Sequence, residues 1–386
     1  WSGGSGVLLA AMILLVNTSL FGAIEYAKEN AQAISSEHGG VEQGEVSREA
    51  GKTVWPATLD KAAYDQKLLS LVHYKEPAPT IVETTNPDGT VSTSTKIISD
   101  LRYADDTNVT VADKRWPPSA VYPHGDALLP FNRILAFYGN FYSTRMGILG
   151  EFSREEVLVK LLAEKKNWEA ADPKTPVIPA IEYIAMVAQA DAGTDGMYRA
   201  AMPDEHMERA YDMAKEINGI MIFDLQVGLS TLQKELPAYE KYLKRPEVHL
   251  AIDPEFAMKY GNAPGTVIGT VDASEINWVI NYLSKIVRDN ELPPKVLIVH
   301  RFTQNMVTNA SAIKPTPEVQ VVMVMDGWGP KDLKRGTYSQ IIIPEPVQFT
   351  GIKIFYKNDL KPPSLGLLSP SEVLNLNPKP IFVQYQ

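Results

Sequence analysis

From Arg133 onward the chain alternates short apolar runs with amphipathic stretches. The candidate strands are Ile134–Tyr138, Val177–Ile184, Ile220–Leu225, Val248–Ile252, Thr266–Val271, Val296–Val299, Val319–Met325 and Gly351–Tyr356. Several are apolar throughout, as expected of parallel strands buried on both faces. Helices fill the gaps. Ser153-Arg154-Glu155-Glu156 is a capping box that opens Glu155–Ala170. Further helices are predicted over Asp204–Asn218, Leu229–Leu243 and Glu275–Asn290. In the last of these, Ile276, Val279, Ile280, Leu283 and Val287 make one apolar stripe, and Asp272-Ala273-Ser274-Glu275 caps it. Ser369 caps a final short helix. This rhythm over residues 130–386 predicts a (β/α)8 TIM-like barrel. An open doubly wound sheet is the alternative, but no Gly-x-Gly-x-x-Gly follows the first strand.

The chain before the barrel has a different pattern. Gly6–Ile24 contains no charged residue. As a helix it would span about 28 Å, close to the roughly 30 Å of a bilayer's hydrocarbon core. A transmembrane anchor over 1–24 is therefore expected. Ala31-Gln32-Ala33 has the form of a signal cleavage site but lies far past the apolar run. The flank Glu25, Lys28, Glu29 has no basic excess, which puts the bulk outside the cytoplasm. A bacterial inner-membrane protein with a periplasmic body is the resulting expectation. Residues 25–58 read as a polar tether. Residues 59–129 read as an extension with a short helix over Leu59–Tyr74 and a β-hairpin turning at Asn86-Pro87-Asp88-Gly89.

Charge and composition narrow the partners. Acidic residues outnumber basic ones 46 to 37, a formal charge of -9, which argues against nucleic acid as a partner. The absence of cysteine excludes disulfides, thiolate metal sites and a lipid-modified N-terminal cysteine. The six histidines include no i, i+4 pair, so neither a metal site nor a cofactor is expected.

In a barrel of this kind chemistry sits at the C-terminal strand ends. There the sequence places Glu182, Asp224, Asp253 with Glu255, Asp272, His300 with Arg301, and Asp326. The candidate rim cluster is Asp224, Asp253, Glu255, His300 and Asp326. Clustered carboxylates push one another's pKa apart, which supplies the acid and base that glycosidic bond cleavage needs. His300 and Arg301 could orient groups or stabilise charge. Structural readings compete. Asp272 reads as a helix cap, Asp326-Gly327 as a turn, and Arg301 or Lys295 could pair with the rim acids. The six tryptophans are dispersed and make no sugar platform in sequence.

Leu250-Ala251-Ile252-Asp253-Pro254-Glu255-Phe256, Leu292-Pro293-Pro294-Lys295-Val296-Leu297-Ile298-Val299-His300, Met325-Asp326-Gly327 and Tyr385-Gln386 resemble a family of bacterial extracytoplasmic proteins, many of them lipoproteins. The resemblance covers Pro130–Gln386. It implies a secreted barrel-like domain and gives no substrate. A helix would here replace the lipid anchor of those relatives. Two functions are expected to compete. One is a non-catalytic accessory subunit of a membrane complex, a photosynthetic reaction centre being one host, bound to integral membrane subunits and lipid through anchor and tether. The other is a membrane-tethered glycoside-hydrolase-like enzyme that takes an envelope glycan in the barrel mouth.

Overall fold

A computed structural model describes residues 55–72, 80–85, 91–96 and 116–386. The expected anchor and nearly all of the expected tether lie outside these residues. Among the described residues no helix is long and apolar enough to cross a membrane.

Eight strands form one ring: β1 (Arg133–Gly139), β2 (Val177–Ala188), β3 (Ile220–Leu225), β4 (Val248–Ile252), β5 (Lys295–Arg301), β6 (Val319–Met325), β7 (Phe349–Ile354) and β8 (Phe382–Tyr385). Each pairs in parallel with the next. The ring closes where β8 pairs with β1, Phe382 opposite Ile134 and Tyr385 opposite Phe137. The expected (β/α)8 barrel is therefore present, with one exchange among its strands. Thr266–Val271 is not a barrel strand. It lies in a long loop, where Val267 bridges to Pro264 and Val271–Asp272 pairs with Val307–Thr308, outside the ring. The eighth place belongs to Phe382–Tyr385.

The period-2 alternation of a strand explains the interior. In β6, Val322 and Val324 face the barrel axis, while Val321, Met323 and Met325 face the helices. In β5, Val296 and Ile298 face inward, while Leu297 and Val299 face outward. Inward residues of several other strands, among them Ile134, Ala136, Ala180, Ile222, Ala251 and Phe382, belong to the same interior cluster. A short helix over Lys61–Ser70 caps the N-terminal end of this core with Tyr64, Leu68 and the neighbouring Leu71. Asp60 caps that helix by accepting from the Ala63 N–H.

Three long helices pack outside. α1 (Arg154–Ala171) carries the expected capping box, Ser153 with Glu156, and buries Trp168 completely. α2 spans Asp204–Glu216. α3 (Ala273–Asp289) buries all five residues of its expected stripe. At about 1.5–3 kcal/mol for each fully buried large aliphatic side chain, that stripe fixes the helix to the barrel wall. The helix expected over Leu229–Leu243 is broken by a 3-10 turn at Leu236–Tyr239. Pro237 lies within that turn and has no N–H for an i to i−4 bond. Thr80–Thr85 and Val91–Lys96 pair antiparallel, as expected of the hairpin, whose expected turn lies outside the described residues.

Candidate functional site

The alternation that buries Val322 and Val324 continues one step further and brings Asp326 to the barrel axis at its C-terminal end. In β5 it brings His300 inward. It brings Tyr138 in β1, Glu182 in β2, Asp224 in β3, Asp253 after β4 and Lys353 in β7 to the same end. All seven are buried, though every one is ionisable. They pair with one another, although Asp224 Oδ1 is left without a hydrogen-bond partner among the described residues. His300 Nδ1 lies 3.2 Å from Asp326 Oδ2, and its Nε2 lies 3.5 Å from Glu182 Oε1. Lys353 Nζ lies 3.1 Å from Asp326 Oδ1 and 3.9 Å from the centre of the Tyr138 ring. The Tyr138 hydroxyl donates to Asp224 Oδ2 at 2.9 Å. The Gln226 amide donates to the Tyr138 hydroxyl and to Asp253 Oδ2, each at 3.3 Å.

Acids outnumber cations here, so the carboxyl groups separate in proton affinity. Burial pushes Asp224 up to about 6, with Glu182 adding to the rise and His300 opposing it. Burial, together with the charge on Asp224, raises Asp253 well above the carboxylate range. Glu255 is raised by burial and by Asp326 to about 7. Asp326 behaves oppositely. Burial would raise it, but Lys353 and His300 outweigh burial and hold it below the ordinary value. For His300, burial would favour the neutral ring, yet Asp326 and Glu182 raise it well above its usual range. The imidazolium is thus the form that sits between the two acids.

Above this cluster opens a cavity of about 420 Å³. Asp253, Glu255, Asp326 and Lys353 face it from the barrel, and Phe256, Phe302, Trp328 and Phe355 are among its apolar walls. Trp328 is 54% exposed. Asp253 is held twice: besides Gln226, its Oδ1 accepts from the Glu255 N–H at 3.1 Å. The Glu255 carboxyl makes no hydrogen bond or ion pair to the described residues.

The structure thus gathers the candidates Asp224, Asp253, Glu255, His300 and Asp326 at one end of the barrel, in two layers. Asp253, Glu255 and Asp326 line the cavity, while Asp224, His300 and Glu182 lie beneath it. Three expectations are corrected. The placement of Asp272 at a barrel-strand end fails because its strand is outside the ring, whereas its reading as a helix cap holds: it caps α3, accepting from the Ser274 N–H, and also accepts from Thr308 and Asn309. Arg301 has outward parity, opposite to His300, and binds the Thr303, Gln304 and Val307 carbonyls and Glu345. Lys295, at the other end of β5, donates to the Arg245 and Pro246 carbonyls and cannot pair with the rim acids. Sequence reasoning assigned no role to Tyr138, Gln226, Trp328 or Lys353. Inward parity within the expected β1 segment was the available signal for Tyr138.

Fold and site together define a (β/α)8 barrel with an acidic, partly protonated mouth. No family model and no curated protein matches the chain. Among solved structures it is similar to a Bacillus subtilis mannanase, at 14% identity over 69% of this chain and 89% of that one, with a TM-score of 0.38. Another Bacillus subtilis mannanase structure matches at 13% identity over 67% and 82%, with a TM-score of 0.35. A ruminal GH26 endo-β-1,4-mannanase matches at 10% identity over 66% of this chain, which spans 58% of that enzyme, with a TM-score of 0.31.

Proposed function

We propose that the barrel is a glycoside-hydrolase-like enzyme, with Glu255 as general acid and Asp326 as its ionised partner. One observation carries this reading: two carboxyl groups lining the same cavity are driven in opposite directions, Glu255 up to about 7 and Asp326 below the ordinary range. That separation is what acid–base cleavage between two carboxyl groups requires. Glu255 gives its proton to the glycosidic oxygen as the bond to the anomeric carbon breaks. Asp326, held ionised by Lys353 and His300, takes a proton from the water that attacks that carbon. Trp328, Phe256 and Phe302 line the cavity and offer apolar surface for a sugar, beside polar groups that fix its orientation. If Gly6–Ile24 anchors the chain, the substrate within reach is a glycan of the cell envelope. The accessory-subunit reading draws on anchor and tether, and no feature of the described residues favours it.

The test is release of reducing ends from a panel of polysaccharides by wild type, Glu255→Gln and Asp326→Asn. Each substitution should lower turnover by about 10²–10⁴-fold, with circular dichroism unchanged. Turnover by wild type on none of the panel, or variants as active as wild type, would remove the proposal.

A further inference from the structure

The end of the barrel opposite the mouth holds a second polar cavity, of about 470 Å³. Four cations line it, Lys67, Arg133, Lys174 and Lys379, against one carboxylate, Asp172. They come from separate parts of the chain: the capping helix, the first residue of β1, the turn before β2 and the turn before β8. In a protein of formal charge -9 such a concentration of positive charge runs against the overall field.

Arg133 is the centre of this site. Its side chain is 1% exposed, and its guanidinium stacks 5.2 Å from the Trp168 ring. Nη2 binds Asp172 Oδ2 at 3.0 Å and Nε reaches the Pro380 carbonyl at 3.5 Å. Nη1 is buried and has no hydrogen-bond partner among the described residues. A buried guanidinium N–H left without an acceptor is costly. Asp172 neutralises only one of the four cations. Lys67 is held in place by donating to the Lys174 carbonyl at 2.9 Å. The Lys379 backbone N–H is tied to the Leu71 carbonyl, so the walls are fixed by main-chain contacts.

We propose that this cavity binds a phosphate group. Phosphate carries the charge that three uncompensated cations demand, and its oxygens can accept from the remaining Nη1 of Arg133 and from several ammonium groups together. The site is remote from the mouth and independent of the hydrolase reading. A free phosphate compound and a phospholipid headgroup offer the same group.

The test uses the full chain. Inorganic phosphate is titrated by calorimetry against chloride of equal ionic strength. In a parallel arm, the chain is sedimented with phosphatidylcholine vesicles with and without phosphatidylglycerol. Both arms are repeated with Lys174→Gln/Lys379→Gln, with the single Lys174→Gln at an exposed position, and with Lys285→Gln on α3 as control. Binding in at least one arm should be saturable and should weaken about tenfold or more in the double variant, the scale of losing charge-assisted contacts. The control should bind as wild type does. Response in the phosphate arm assigns a soluble ligand, and response in the vesicle arm alone assigns a headgroup. Absence of binding in both arms, or binding that the lysine variants leave unchanged, overturns the proposal.

Discussion

Asp224→Asn isolates the energetic cost of keeping acids inside the barrel. Asp224 is 0% exposed, accepts from the Tyr138 hydroxyl through Oδ2, and has no partner for Oδ1. Burial raises its pKa from 3.8 to about 6. A group raised in this way binds its proton more tightly in the folded state. Its contribution to stability is complete below the unfolded pKa and is lost as pH rises through the folded one. A rise of about two pKa units, at about 1.36 kcal/mol each, amounts to about 3 kcal/mol. That is a substantial part of the roughly 5–15 kcal/mol that typically separates folded from unfolded domains. Asparagine has nearly the same shape, keeps a carbonyl for Tyr138 and does not titrate. Urea unfolding of wild type and variant should be followed from about pH 4 to about pH 8. Wild-type stability minus variant stability should fall as pH rises across that range, by roughly 3 kcal/mol. A flat difference, or one that rises with pH, would refute the reasoning.

Lys353→Met leaves Asp326 without its ammonium partner inside a buried cluster. Urea unfolding should show a loss of about 3–5 kcal/mol, the usual cost of breaking a buried ion pair from one side. Removing Phe382–Gln386 deletes the strand that joins β7 to β1, so the shortened chain should lose its cooperative unfolding transition in calorimetry. If the barrel hydrolyses a glycan, its kcat/KM should decline as pH rises through about 7, where Glu255 gives up its proton. Glu255→Gln should abolish that limb.

Much of the barrel was legible because its strands are apolar on both faces. Ile220–Leu225 and Val319–Met325 need no context to be recognised, and they end at the expected residues. Thr266–Val271 has β-branched residues too, but Gly265 has a φ of +80°, and a side chain at Gly269 would strike the Pro254 carbonyl at 2.5 Å. A loop folded back on itself, not a strand, meets those demands. Phe382–Tyr385 escaped notice because it is four residues long and follows Asn377-Pro378-Lys379-Pro380, a sequence with turn character. Its pairing with β7 on one side and β1 on the other identifies it. The acids of the mouth were found because charge directly after an apolar strand is conspicuous. Lys353 was not, since a lysine within a strand reads as a solvent-facing position. Its inward parity becomes visible only once Ile352 and Ile354 are known to face the helices.

Carbon-13 titration of the side-chain carboxyl groups tests the central claim most directly. With Glu255→Gln and Asp326→Asn used to assign the two resonances, Glu255 should titrate near about 7 and Asp326 below the ordinary aspartate value of 3.8. Glu255 titrating at its ordinary 4.5, with Asp326 no lower than other aspartates, would contradict the account.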